Sequence, residues 1–164
     1  MKARLVDDKE KGMVEAILKM ESLFPEKIRY GEWDVWDNLQ NPNNMNIIAE
    51  EESEIIGYVL VIPQVEAVGY LKDDDPLMEN CREMVYVDQI AVVEDKRGGE
   101  AFRFLVKEII VEAQKRGFEK WSSHLMVGLG GVLRRMFEGK IILERKTRMS
   151  AYGDHDLIYM EGWI

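Results

Sequence analysis

Residues 91–109 read AVVEDKRGGEAFRFLVKEI. An apolar, β-branched stretch meets a charged turn, then two glycines, then a segment with helical spacing. Strand, glycine turn and helix in that order make a phosphate cradle in outline. Several N–H groups at a helix N-terminus converge on one anion, and the helix dipole favours negative charge there. Glycine supplies the backbone freedom for close approach. Arg97, Gly98 and Gly99 fit this outline. Glu100 does not, because a carboxylate in the first turn satisfies the helix end by itself.

The helix after the loop is predicted from Ala101 to Arg116. Ala101, Leu105, Ile109 and Ala113 form one stripe, and Gly117 is its C-terminal stop. Before the loop, MVYVDQIAVV (84–93) reads as a strand; after it, FEKWSSHLMV (118–127) reads as another. That gives a parallel strand–helix–strand unit. Upstream, KARLV (2–6) is a first strand, and Asp7 or Asp8 is placed to cap the helix that follows. Met13, Ile17, Met20 and Phe24 line that helix, which Pro25 stops. GEWDVWDNLQNP (31–42) is a second helix. Ile47 to Glu50 and Ile55 to Ile62 are paired strands with EESE (51–54) as their turn. Residues 64–83 read as irregular, with KDDDP (72–76) as an exposed loop. GLGG (128–131) opens a last helix, and KIILERKTRM (140–149) and DLIYMEGWI (156–164) are closing strands.

The 164 residues suit one domain, expected to span 1–164. The formal net charge of −9 argues against nucleic acid, whose phosphates need a basic face. Cys81 is the one cysteine, which excludes an internal disulfide and cysteine zinc sites and points to a reduced, cytoplasmic setting. No apolar run approaches the ~20 residues of a membrane helix.

The element order and the loop together resemble the GCN5-related N-acetyltransferase superfamily. That family carries R/Q-x-x-G-x-G/A where a strand meets the following helix. VDQIAVVEDKRGGEAFRFLVKEIIVEAQKRGF (87–118) matches the hydrophobic frame and Arg97; EIIGYVLVIP and YGDHDLIYME match its hairpins. Aligned without a gap, Glu100 and Phe102 replace the small residues; with one deletion, Gly99 and Ala101 supply them. The resemblance implies an α+β fold with a mixed sheet of six to seven strands and helices on both faces. It implies acetyl-CoA as acyl donor, an amine acceptor and direct attack in a ternary complex. A homodimer is compatible with it, and no metal is required.

The resemblance also implies site residues. Ile90, Ala91 and Val92 would pair by backbone with the pantetheine arm, and Arg97, Gly98, Gly99, Glu100 and Ala101 would hold the pyrophosphate. Asp88 is the first candidate for the base that deprotonates the amine, and Glu83 the second. Tyr86 shares a strand face with Asp88. His124, on the next strand, is a further candidate. Many family members place a tyrosine in the last helix to protonate the leaving thiolate; here Phe137 stands in its place, and Tyr86 or Tyr152 would have to substitute. The alternative expectation is a binding or interaction module of the same fold with weak or no catalysis. Trp33 and Trp36 would flank a cationic amine, although burial preference favours core packing for both.

Overall fold

A computed structural model describes residues 1–98, 100–153 and 155–164. Seven strands form one mixed sheet in the order β1-β2-β3-β4-β5-β7-β6. They are β1 (Lys2–Val6), β2 (Met45–Glu51), β3 (Glu54–Pro63), β4 (Met84–Val92), β5 (Lys120–Met126), β6 (Ile141–Thr147) and β7 (Leu157–Trp163). The helices are α1 (Met13–Glu21), α2 (Glu32–Gln40), α3 (Gln64–Leu71), α4 (Glu100–Lys115) and α5 (Val127–Met136). The α+β class and the mixed sheet agree with the sequence. The chain divides into two compact units: residues 1–61 with 89–112, and residues 62–88 with 113–164.

In the first unit β1 and β2 run antiparallel, as do β2 and β3. The β2–β3 turn places Glu52 and Ser53 at φ 51° and 70°, the left-handed pair that a two-residue hairpin needs to match strand twist. Along α1, Met13, Ile17 and Met20 are buried. The aspartate caps do not form. The helix begins beyond them at Met13, after Gly12 at φ 80°, and Asp7 Oδ1 accepts the Lys9 N–H at 3.0 Å instead. A short aspartate side chain closes its own turn more readily than it reaches a helix five residues on. The α4 stripe of Ala101, Leu105, Ile109 and Ala113 is buried as its spacing predicts. Gly57 brings β3 close to this helix and to β4. A Cβ there would lie 3.0 Å from Leu105 Cδ1 and 3.2 Å from the Ala91 carbonyl oxygen.

In the second unit β4 and β5 pair in parallel from Met84↔Lys120 to Tyr86↔Ser122. β7 then lies antiparallel between β5 and β6. The turn from α4 into β5 closes with Gly117 at φ 82°, Gly117 N–H to Gln114 and Phe118 N–H to Ala113. This is the doubly bonded glycine stop expected of such a helix end. Residues 64–83 correct the sequence reading. They contain α3, whose Gln64, Ala67 and Leu71 are buried. Its polar or glycine positions broke the apolar pattern, and Gln64, fully buried, is held by tertiary hydrogen bonds that spacing does not reveal. In α5, Gly130 lets the helix approach β7, since a Cβ would stand 3.1 Å from Ile158 Cδ1.

Candidate active site

The candidate donor-binding residues all lie in the first unit. β4 ends with Ile90 and Val92 half-buried and Ala91 buried. A single 3-10 turn (Glu94–Lys96) follows, then Arg97 in extended conformation and Gly98 at φ 77°. A left-handed residue suits a glycine, and this one stands two positions before the first residue of the sixteen-residue α4. Gly99 lies outside the described residues. Glu100 is the first residue of α4 and is exposed; Ala101 is fully buried, so its side chain belongs to the core and only its backbone could serve a ligand. Arg97 Nε donates to the Val92 carbonyl at 3.2 Å, and Lys96 is paired with Glu51. The side chains of Lys96 and Arg97 thus each have a partner within their own chain.

The candidate catalytic residues lie in the second unit. The pairing of β4 with β5 runs to Tyr86 and Ser122, while β4 continues to Val92 and β5 to Met126. Where the backbone pairing ends, Ser123 Oγ donates to the Val87 carbonyl at 2.7 Å. Two positions past the last pair stand Asp88 on β4 and His124 on β5. Strand alternation puts both on the face that carries Tyr86 and Ser122.

His124 is buried between two partners. Its Nε2 lies 2.7 Å from Asp75 Oδ2, and its Nδ1 lies 2.9 Å from the Tyr86 hydroxyl. An ionised carboxylate has only acceptors, so Nε2 carries the proton and Nδ1 accepts from Tyr86 O–H. Asp75 is 2 % exposed. Arg145 Nη2 donates to the same Oδ2 at 2.5 Å, and the Leu77 N–H donates to Oδ1 at 3.2 Å. Burial pushes the Asp75 carboxyl up, but the Arg145 and His124 donors outweigh it and hold the group below its ordinary value. Burial lowers His124 despite the opposing pull of Asp75, so the ring is held neutral. Tyr86 is raised well above its ordinary value, first by burial and then by the negative charge of Asp88.

Asp88 is half-buried and accepts from the Tyr70 hydroxyl at 2.9 Å. Tyr152 is pushed up to about 12 by burial and by Asp88. Glu83 lies elsewhere. It precedes β4 at the paired end, where its carbonyl accepts the Glu119 and Lys120 N–H groups and its carboxylate accepts from Cys81 Sγ at 3.5 Å. Five residues of strand separate it from Asp88, about 16 Å. The structure thus brings Tyr86 and His124 together, keeps Asp88 on their face, and leaves Glu83 apart.

Three further observations bear on the sequence reading. Phe137 is buried against Trp121, ring centroids 4.7 Å apart, so this side chain is part of the core. The DDD run is not a solvated loop throughout: Asp75 is buried, and Asp74 Oδ1 accepts from Ser150 N and Oγ at 3.2 and 2.8 Å. Trp33 and Trp36 are not core residues. They are 79 % and 41 % exposed and meet edge to face at 5.9 Å. Asp75, Arg145 and Tyr70 escaped sequence reasoning. The available signal was His124 itself, since a buried strand histidine needs a hydrogen-bond partner.

Behind the site a second polar cluster is fully satisfied. Ser122 Oγ donates to Gln64 Oε1 at 2.5 Å, Gln64 Nε2 to Tyr159 at 3.1 Å, and Tyr159 to Glu161 at 2.8 Å. Among the described residues no group of three His, Cys, Asp or Glu side chains could hold a metal, and no helix is long and apolar enough to cross a membrane.

Comparison with known proteins supplies the wider frame. The model of the Acetyltransferase (GNAT) family matches residues 14–129, more than two thirds of the chain. No curated protein matches the sequence significantly. Among solved structures, the chain resembles a ribosomal-protein-alanine N-acetyltransferase from Brucella melitensis (17% identity, 100% of each chain covered, TM-score 0.70). It also resembles an aminoglycoside 6'-acetyltransferase type Ii (16% identity, 99% of this chain and 97% of the other, TM-score 0.71). A third is Arabidopsis thaliana NAA60 in complex with acetyl-CoA (15% identity, 99% and 97%, TM-score 0.68). At these identities the likeness is one of fold.

Proposed function

The chain belongs to the Acetyltransferase (GNAT) family, and on that premise we propose that it transfers an acetyl group from acetyl-CoA to a primary amine. The amine attacks directly in a ternary complex. Bound acetyl-CoA supplies an activated acyl carbon and a leaving thiol of ordinary pKa near ~8.5. The α4 N-terminus with Arg97 and Gly98 holds the pyrophosphate, and the backbone of Ile90, Ala91 and Val92 holds the pantetheine arm.

An alkyl ammonium has a pKa near ~10 and must lose a proton before it attacks. Asp88 takes that proton. The observation that carries this reading is the place of Asp88: two residues beyond the last β4–β5 pair, on the face of Tyr86, and oriented by the Tyr70 hydroxyl. The enzymes of similar fold are named for acetylating a ribosomal-protein alanine and an aminoglycoside. Both are amines, which supports the reaction class and leaves the acceptor's identity to experiment. Calorimetry with acetyl-CoA, followed by a thiol-release screen across small amines, peptide N-termini and lysine peptides, tests the reading. Saturable binding with amine-dependent thiol release supports it. Binding without release under any amine favours the alternative of a catalytically weak binding module, to which the buried Phe137 would also belong.

A further inference from the structure

We propose that the outward face of α2 is a docking surface for an arginine-bearing segment of another protein, with the Trp33 and Trp36 rings at its centre and Glu32 and Asp37 as its charged flanks. The inference stands apart from the acetyl transfer proposed above. It concerns a surface of the first unit and needs no reacting group.

The sequence of α2 decides what faces out. Val35 and Leu39, one turn apart, are its buried residues, so the other side of the helix has no core duty. That side holds Trp33 and Trp36, both exposed. Exposed apolar residues scattered singly are ordinary, but here two indoles stand together. Their planes meet at 84°, edge against face, so the ring that gives its edge keeps both of its own faces clear of the other. Residues one turn apart are neighbours on a helix surface, which sets Glu32 beside Trp36 and Asp37 beside Trp33. Each indole thus has a carboxylate next to it along the helix. Glu32 and Asp37 are exposed and, among the described residues, neither has an ion-pair partner. Asp34 serves the cap of the helix itself, accepting the Gly31 N–H at 2.9 Å. No lysine or arginine lies on α2 to answer these charges.

The chemistry selects a cation with a flat face. An indole face attracts positive charge through its quadrupole. A guanidinium is planar and weakly hydrated; it stacks on aromatic rings and forks onto a carboxylate, whereas an ammonium is a compact, strongly hydrated point charge. An arginine laid on one indole reaches the carboxylate one turn along, so a single residue engages both. Area argues for a short segment over a second copy of this chain. A fully covered indole buries ~150–250 Å², so at their exposures the two rings offer at most about 300 Å². A stable complex needs about 800 Å² from each partner. A small amine would be left largely in water on so open a face.

An Arg-Ser repeat peptide, acetylated at its N-terminus and amidated at its C-terminus, is the probe for the full chain. It carries no primary amine and cannot be the acceptor in acetyl transfer, so its failure to bind leaves that reading untouched. The chain has four tryptophans, whose indole N–H signals are assigned by NMR from single Trp→Phe variants. Trp121 is buried, and Trp163 is exposed but already has Lys120 Nζ over its ring at 5.0 Å, so both serve as internal controls. Titration should shift the Trp33 and Trp36 signals to saturation and leave Trp121 and Trp163 in place, with weaker binding at high salt. Trp33→Ala combined with Trp36→Ala should weaken binding ~10-fold or more, while the melting temperature stays near that of wild type because Val35 and Leu39 still anchor the helix. Glu32→Gln combined with Asp37→Asn keeps the rings and should weaken binding by up to about fivefold, which tests the surface even if the aromatic variant fails to fold. No shift at millimolar peptide overturns the proposal, and so does an equal shift with a Glu-Ser peptide or an equal response at Trp163. Trp33 and Trp36 signals that move with protein concentration alone would assign the face to a second copy and overturn it as well.

Discussion

Asp75 and His124, 49 residues apart in sequence, meet at 2.7 Å with their side chains 2 % and 1 % exposed. Such a pair is sustained by its surroundings. Both ring nitrogens have partners, and Arg145 shares the carboxylate. Removing the carboxylate strands three donors, His124 Nε2, Arg145 Nη2 and the Leu77 N–H. Asp75→Ala should cost about 3 kcal/mol, at the lower end of the range for breaking a buried pair because Arg145 retains some solvent contact. Asp75→Leu combined with Arg145→Met should recover part of the loss. Chemical denaturation of the two variants measures this, and equal losses in both would show that Arg145 plays no part in the penalty.

The same pair sets an acid response. The folded pKa of His124 is lowered, so the unfolded chain binds a proton that the folded chain refuses. Stability should therefore fall as pH drops below about 6.5, the unfolded value, and continue to fall down to the folded value. The Asp75 contribution follows at lower pH. Its folded pKa is depressed, so its stabilisation is present above about 3.9 and is lost as pH falls through the folded value. Melting temperature between pH 7.5 and 4 checks the first step, which should be absent in His124→Asn.

How far the sequence carried this picture can be argued from a few residues. The α4 stripe, the β-branched run of β4 and the Gly117 stop are local patterns, and each has the same meaning in the folded chain. Asp75 is different. Within KDDDP it is indistinguishable from Asp73, which is exposed. Its burial is decided by His124 and Arg145, far along the chain, and no local spacing encodes that meeting. Gln64 escaped notice for the same reason. Trp33 and Trp36 went the other way: burial preference favoured the core, yet Val35 and Leu39 supply the buried positions of α2 and the tryptophans face outward.

Asp88→Asn isolates the proposed base. The amide keeps an acceptor for the Tyr70 hydroxyl but cannot take a proton. Turnover should fall by ~10²-fold or more, while acetyl-CoA affinity changes little. Steady-state kinetics beside calorimetry would decide it. Unaltered turnover in a folded variant would remove Asp88 from the role.

Gly57→Ala tests the close approach of β3 to its neighbours. Its methyl would press on Leu105 Cδ1 at 3.0 Å and on the Ala91 carbonyl oxygen at 3.2 Å. The side chain can yield more easily than the backbone oxygen. The expected loss is about 1–3 kcal/mol, the usual cost of overpacking. Gly98→Ala differs in kind: there is open space for its methyl, but φ is 77°, so the cost is conformational and about 1 kcal/mol. Urea unfolding of the two variants would separate the mechanisms if Gly98→Ala approached wild type.

Glu100 opens α4 on its exposed side, at the helix end proposed to hold a pyrophosphate. Without ligand a carboxylate there stabilises the helix by ~0.3–1 kcal/mol. With ligand it opposes like charge; at ~6 Å in a watery setting each pair repels by several tenths of a kcal/mol. Glu100→Gly should therefore act in opposite senses. The free protein should lose ~1 kcal/mol, since glycine is also a poor helix residue. Acetyl-CoA should bind several-fold tighter, with a larger gain at low salt because exposed charges are screened. Glu100→Gln keeps the helix propensity and removes the charge, so it should tighten binding with a smaller loss of stability. Calorimetry at two ionic strengths and thermal melts of the free variants give both quantities. If affinity and stability fell together in both variants, Glu100 would be a supporting residue of the loop, acting through its neighbour Arg97, and the loop's carboxylate would be part of how it holds the donor.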